Sequence, residues 1–210
     1  MIDMLNKQDD LYHVNLRGKI NGETIDSYEM IDVISRALNP YSQNDEFMKL
    51  AEQPEIRFVI SNTTEAGIAY DPSCKLTDKP ASSYPGKLTQ LLYHRFQTFN
   101  GDKTKGLIIF PCELIFLNGH KLKEVIYQYI DLWNLGEDFK TWFTDSCGVY
   151  ATLVDRIVPG FPRDRIADIQ KSLDYEDNMV VQGEAFHLWV IEAPKSVEKE
   201  FPADKAGLHV

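Results

Sequence analysis

Three stretches of the 210-residue sequence set polar side chains against apolar runs, where they can meet a ligand. In SNTTEAGI at 61–68, Ser61, Asn62, Thr63, Thr64 and Glu65 precede Gly67. Short hydroxyl and amide groups beside free backbone N–H groups suit a phosphate, a ribose or an amide, and glycine permits a tight bend. The same residues also close turns and cap helices, so spacing alone leaves both readings open. In PCELIFLNG at 111–119, Glu113 and Asn118 lie between an apolar run and a helical pattern. Either they face a ligand, or Glu113 is a solvated loop charge and Asn118 an N-cap. In TLVDRIVPGFPRDR at 152–165, Asp155 and Arg156 interrupt an apolar run. A charge in such a run is paired or functional, because burying it alone is costly. Arg156 can clamp a carboxylate in bidentate fashion, or it can pair with an acidic neighbour such as Asp155.

These stretches serve one site only if the elements before them end on one edge. Alternation in LYHVNLRG at 11–18 predicts a strand that leaves through the turn NGET at 21–24. Ile31, Ile34 and Leu38 predict a helix over 28–38 closed by Pro40, and a short helix is expected over 44–52. IRFVIS at 56–61 and GLIIFP at 106–111 read as strands covered on both faces. Between them lie an irregular stretch, 66–84, and a helix starting near Pro85 with Leu88, Leu91, Leu92, Phe96 and Phe99 on one stripe. The strongest helical pattern runs through Leu122, Val125, Ile126, Tyr129, Ile130 and Trp133. An amphipathic piece at 136–144, a strand within 148–158, a helix at 163–172 and extended runs at 178–182 and 186–191 follow. The alternation predicts an α/β fold, a parallel sheet with flanking helices, whose ligands bind beyond the carboxyl ends of the strands. The charged, proline-bearing segment 193–210 reads as an exit from the domain.

Composition narrows the function. A net charge of −10 without a basic block argues against a nucleic-acid surface or an anionic membrane. The apolar runs are far shorter than the roughly 20 residues that span hydrocarbon, and no signal-peptide pattern opens the chain. Cys74, Cys112 and Cys147 are odd in number and widely spaced, which fits a reducing, cytoplasmic setting. Their spacing from His120 and His187 is not that of a zinc site, so no metal is expected. There is no G-x-S-x-G elbow and no G-x-G-x-x-G turn.

Taken together, FVISNTTEAGIAYDP, PASSYPGKLTQLLYHRF, PCELIFLNG, TLVDRIVPGFPRD and GEAFHLWVIE resemble consecutive motifs of the polyol-specific, mannitol dehydrogenase-like long-chain dehydrogenases. The likeness extends from LYHVNLRGKINGETIDSYEMIDVISRALNPY to KAGLHV. Mannitol-type members have C-D-N where this chain has Cys112, Glu113 and Leu114, and the C-E-L form resembles the tagaturonate branch. The resemblance implies NAD as cofactor and hydride transfer between keto and hydroxy forms of a hexuronate-derived acid, tagaturonate and altronate. It implies that Asn62, Thr63, Thr64 and Glu65 line the nicotinamide and ribose side of the cleft. Glu113, Asn118, Asp155 and Arg156 then face the region where cofactor and substrate meet. The family's Gly-rich first βα unit and its catalytic lysine, followed by L-N-x-x-H, have no counterpart here. Residues 1–192 are therefore expected to be the later part of an incomplete Rossmann-like NAD-binding domain, and 193–210 to lead toward a missing C-terminal helical domain. The alternatives are a fructuronate or mannitol-type polyol dehydrogenase, a non-catalytic α/β small-ligand-binding module, and a folding unit without activity of its own.

Lacking both a proton-donating lysine and a pyrophosphate cradle, the purified 210-residue chain should not turn over NADH with tagaturonate. An absorbance assay free of host enzyme checks this, and measurable turnover would refute the incomplete-domain reading.

Overall fold

The computed structural model describes residues 1–173 and 175–206, which form two compact units. One comprises Met1–Asn39 and Asp155–Leu188; the other comprises Pro40–Val154 and Trp189–Val210. Residues 207–210 of the expected exit segment lie outside the described residues.

The first unit is built on strands β1 (Tyr12–Ile20) and β2 (Glu23–Ile31), paired antiparallel along their whole length. Asn21 and Gly22 both adopt positive φ, 51° and 86°, the two-residue primed turn that Asn-Gly favours. This corrects the expected helix over 28–38: the turn returns the chain beside β1, and nine ladder pairs override the helical spacing of Ile31, Ile34 and Leu38. A later strand, Val181–Glu184, joins β1 in parallel, and a helix spans Ile166–Leu173. Buried Asp177 fastens this later segment. Its carboxylate accepts from the backbone N–H of His13 (2.7 Å), His13 Nδ1 (3.0 Å), Gln8 Nε2 (3.0 Å) and the N–H of Met179 (2.8 Å). Burial opposes ionisation, yet these donors hold the Asp177 carboxyl below the usual carboxylate range.

The second unit holds a parallel sheet of β3 (Phe58–Ser61), β4 (Ile108–Pro111) and β5 (Gly148–Val149), with β4 central. After two five-residue helices, α1 (Ile2–Asn6) and α2 (Asn44–Met48), helix α3 (Tyr84–Thr98) links β3 to β4; α4 (Asn118–Leu132) and α5 (Glu137–Ser146) link β4 to β5. Pairing with period two decides which side each β4 residue covers. Leu107 and Ile109 join the helices' Leu92, Ile126 and Phe143 in one core. Ile108 and Phe110 turn the other way, against Ile191, Val197, Trp189 and Phe201. The coverage of β4 on both faces is as expected, but β3 departs from it. With one neighbour among the described residues, β3 leaves Ile60 54% exposed.

The irregular stretch 66–83 is held by side chains of the two long helices. Tyr129 Oη accepts from the N–H of Asp71 (2.9 Å), and Trp133 Nε1 donates to the carbonyl of Cys74 (2.9 Å). Gln90 accepts from the N–H of Ala81 (3.1 Å) and donates to the carbonyls of Leu76 and Asp78. Ser83 caps α3 by accepting from the N–H of Gly86 at 3.0 Å.

Arg95, on the apolar stripe of α3, is fully buried. Its guanidinium donates to four backbone carbonyls: Lys105 (2.6 Å), Ala51 (3.0 Å), Gln53 (2.8 Å) and Ile56 (3.0 Å). It thereby joins the segment entering β3 to the segment entering β4. Arg95→Met should cost about 3 kcal/mol or more, because four carbonyls lose the guanidinium donor together. All three tryptophans, Trp133, Trp142 and Trp189, lie in this unit, so denaturant unfolding followed by their fluorescence measures it. A loss below about 1 kcal/mol would contradict the assignment.

Candidate functional site

At the carboxyl ends of β3 and β4, Glu113 is 2% exposed. One carboxylate oxygen accepts from the N–H (3.0 Å) and hydroxyl (2.9 Å) of Thr63, and the other from the Ser61 hydroxyl (3.1 Å). Acceptor-only oxygens among three donors make a satisfied buried charge. Glu113 is thus not the solvated loop charge that its spacing allowed, and its oxygens are occupied by the neighbouring strand end. The Tyr84 hydroxyl lies enclosed next to Ser61 and Glu113. Burial pushes that phenol's pKa up, with the Glu113 charge adding to the effect, so it stays protonated. Burial likewise raises the Cys112 thiol, which is therefore a poor nucleophile.

Asn118 is 1% exposed and spends its whole amide on backbone. Nδ2 donates to the carbonyls of Pro111 (2.8 Å), Glu113 (3.0 Å) and Thr152 (2.9 Å). Oδ1 accepts from the N–H of Gly119 (2.8 Å) and of Thr152 (2.9 Å). It is the first residue of α4 rather than its N-cap, which falls on Leu117 in the left-handed region (φ 51°). Gly119 follows because a Cβ there would stand 2.5 Å from the backbone nitrogen of Ala151. Asn118 and Gly119 together seat α4 against the strand-end backbone.

Beyond Ser61 the chain folds into a tight turn, the N–H of Gly67 donating to the carbonyl of Thr64 at 2.7 Å. Asn62, Thr63, Thr64 and Glu65 are exposed. The second unit therefore gathers Asn62 to Glu65, Glu113 and Asn118 at one strand edge. Asp155 and Arg156 belong to the first unit. Asp155 is exposed, and among the described residues it forms no ion pair. Arg156 is half-buried and donates from Nε to the carbonyl of Glu184 at 2.9 Å, leaving its Nη groups without a hydrogen bond among the described residues. Spacing missed Tyr84 and Thr152; Tyr84 had only its place beside Pro85 to mark it.

The sequence matches the family described as the mannitol dehydrogenase Rossmann domain over residues 1–205. The chain belongs to this family. Curated relatives include altronate oxidoreductases of Bacteroides thetaiotaomicron, 81% identical over all 210 residues, and of Phocaeicola vulgatus, 80% identical. The Bacillus subtilis altronate oxidoreductase is 47% identical over 208 residues. The chain spans 44% of the first two relatives and 43% of the third, less than half their length. Among solved structures, D-sorbitol dehydrogenase in substrate-free form superposes with a TM-score of 0.80 at 18% identity, over 99% of this chain and 44% of that one. A Pseudomonas fluorescens mannitol 2-dehydrogenase, a ternary complex with NAD and D-mannitol, gives 0.72 at 19% identity, over 92% and 40%. The fold is thus the Rossmann-like α/β fold of these dehydrogenases, as the motifs implied. No helix among the described residues is long and apolar enough to cross a membrane.

Asn118→Asp is the sharpest probe of the strand-end joint, since it turns a double donor into an acceptor facing three carbonyls. It should destabilise the second unit by more than Asn118→Ala, itself about 2–4 kcal/mol, at neutral pH. Tryptophan-monitored unfolding of both variants checks the order, and a milder effect of Asp than of Ala would refute it.

Proposed function

We propose that this chain is the later part of the NAD-binding domain of a cytoplasmic oxidoreductase that interconverts D-tagaturonate and D-altronate. The observation that carries the reading is the 81% identity to an altronate oxidoreductase across every residue of the chain. The strand-end residues fit one end of a dinucleotide. Exposed Asn62, Thr64 and Glu65 offer amide, hydroxyl and carboxylate groups to a ribose or a carboxamide, beside a turn that Gly67 keeps tight. When bound, the nicotinamide supplies the hydride.

The chain's own residues bind and position. Asn118 has no polar atom left for a substrate, so its role in the reaction is to hold the β4 end and α4 in place. Glu113 is likewise a positioning residue. With Nε steadied on the Glu184 carbonyl and no hydrogen bond on Nη1 or Nη2 among the described residues, Arg156 can offer both Nη groups to a uronate carboxylate. The exposed Asp155 beside it offers a carboxylate to a polar substrate group. The substrate is thus a hexuronate-derived acid, and the remaining partner is the C-terminal domain of the same protein, which would supply the proton-donating lysine.

In the native full-length protein, Arg156→Ala should lower kcat/KM for tagaturonate roughly 30- to 1000-fold while NADH binding changes little. A neutral keto-sugar assayed in parallel, with thermal unfolding of the variant, separates clamp from scaffold. Equal losses on both substrates with a large fall in Tm would move Arg156 out of the substrate site.

A further inference from the structure

The loop after β3 is held from two sides. From β4, Glu113 takes both the N–H and the hydroxyl of Thr63. From the far end of the loop, Gly67 presses on the same residue: a Cβ at Gly67 would lie 1.8 Å from Thr63 Oγ1 and 2.5 Å from Thr63 Cβ. Gly67 does not have positive φ, so steric room and not backbone conformation forbids a side chain here. The loop closes onto Thr63 where position 67 is bare, so the contact with Gly67 and the bonds to Glu113 meet on one residue.

We propose that Gly67, Thr63 and Glu113 act as one latch that holds the loop after β3 in the shape that presents Asn62, Thr64 and Glu65 to the dinucleotide. This rests on the dehydrogenase reading and adds to it a positioning role for Gly67 and Glu113, neither of which touches the ligand. The three residues have a single mechanical consequence. Breaking the latch from either side releases the same N–H, that of Thr63, and a second break adds nothing.

The first measurement is amide hydrogen exchange at Thr63 in the 210-residue chain. Glu113→Ala and Gly67→Ala should each speed it roughly 10- to 100-fold, by removing the buried acceptor of the Thr63 N–H or prising the loop open. The double variant should exchange no faster than the faster single one, and Thr63→Ser, which retains N–H and hydroxyl, should behave as the parent. Unchanged exchange in either single variant, or fully multiplying effects in the double, would overturn the latch. If Glu113→Ala does not fold, Thr63→Val, which loses the hydroxyl bond to Glu113, should still exchange faster at residue 63 than Thr63→Ser, and equal exchange in the two would overturn the latch. The second measurement is NADH affinity by fluorescence in the native full-length protein. Both latch variants should weaken it about 5- to 50-fold and raise the KM for NADH with little change in kcat. Faster Thr63 exchange with unaltered NADH affinity would overturn the positioning role. Absence of NADH binding by the parent protein would instead sink the dehydrogenase reading, while exchange still judges the latch.

Discussion

A buried cation held by four backbone carbonyl oxygens organises the larger unit. Arg95 is sealed from water and answers its charge with four backbone acceptors drawn from two segments more than forty residues apart. Desolvation and the nearby Arg57 pull its pKa below the ordinary guanidinium value, which states in another way how much the arrangement asks of those carbonyls. What results is a fixed spacing between the chain entering β3 and the chain entering β4. Parallel strands lack a tight connecting turn to set their register, so a side chain that grips both entrances does that work.

The opposite ends of the same strands are set by two further side chains of different chemistry. Asn118, both donor and acceptor, joins the end of β4 to the backbone at Thr152; Glu113, acceptor only, joins the end of β4 to the end of β3. The division follows from what each neighbour presents. Carbonyls and an N–H require an amide, and hydroxyls with an N–H suit a carboxylate. A strand-end site on such a base has a rigid floor while its ligand-facing residues remain on a short exposed turn, which is the arrangement that binding loops on a scaffold commonly adopt.

Much of this was legible in the residues. Helices α3 and α4 followed from apolar spacing, β4 from an unbroken apolar run, and the strand-end stretches from where those runs stop. What failed did so for nonlocal reasons. The helix expected over 28–38 had adequate periodicity, but the Asn21-Gly22 turn committed the chain to a hairpin, and ladder pairing outweighed a weak local preference. Glu113 and Asn118 stand out as polar residues at a strand end, yet their partners Ser61, Thr63 and Thr152 lie far off in the sequence, on or just after other strands, and no spacing rule reaches them. Arg95 did leave a trace: it occupies the register of Leu88, Leu91 and Leu92, where a solvated charge does not belong. An arginine on an apolar stripe asks which carbonyls it serves.

The sequence contains the dipeptide Asn-Gly three times, at Asn21, Asn100 and Asn118, and the three have unequal chemical futures. Ageing at such pairs begins when the glycine nitrogen attacks the asparagine side-chain carbonyl carbon to close a succinimide ring, so it needs a mobile backbone and a free amide. Asn21 and Asn100 are exposed on turns at positive φ, and each is open to that rearrangement. At Asn118 the glycine N–H is already donated to the side-chain oxygen, and the amide nitrogen that would have to leave as ammonia is tied to three carbonyls. The bonds that seat α4 therefore also act as a preservative: stored protein would accumulate isoaspartate at its turns while the joint beneath the candidate site keeps its original chemistry.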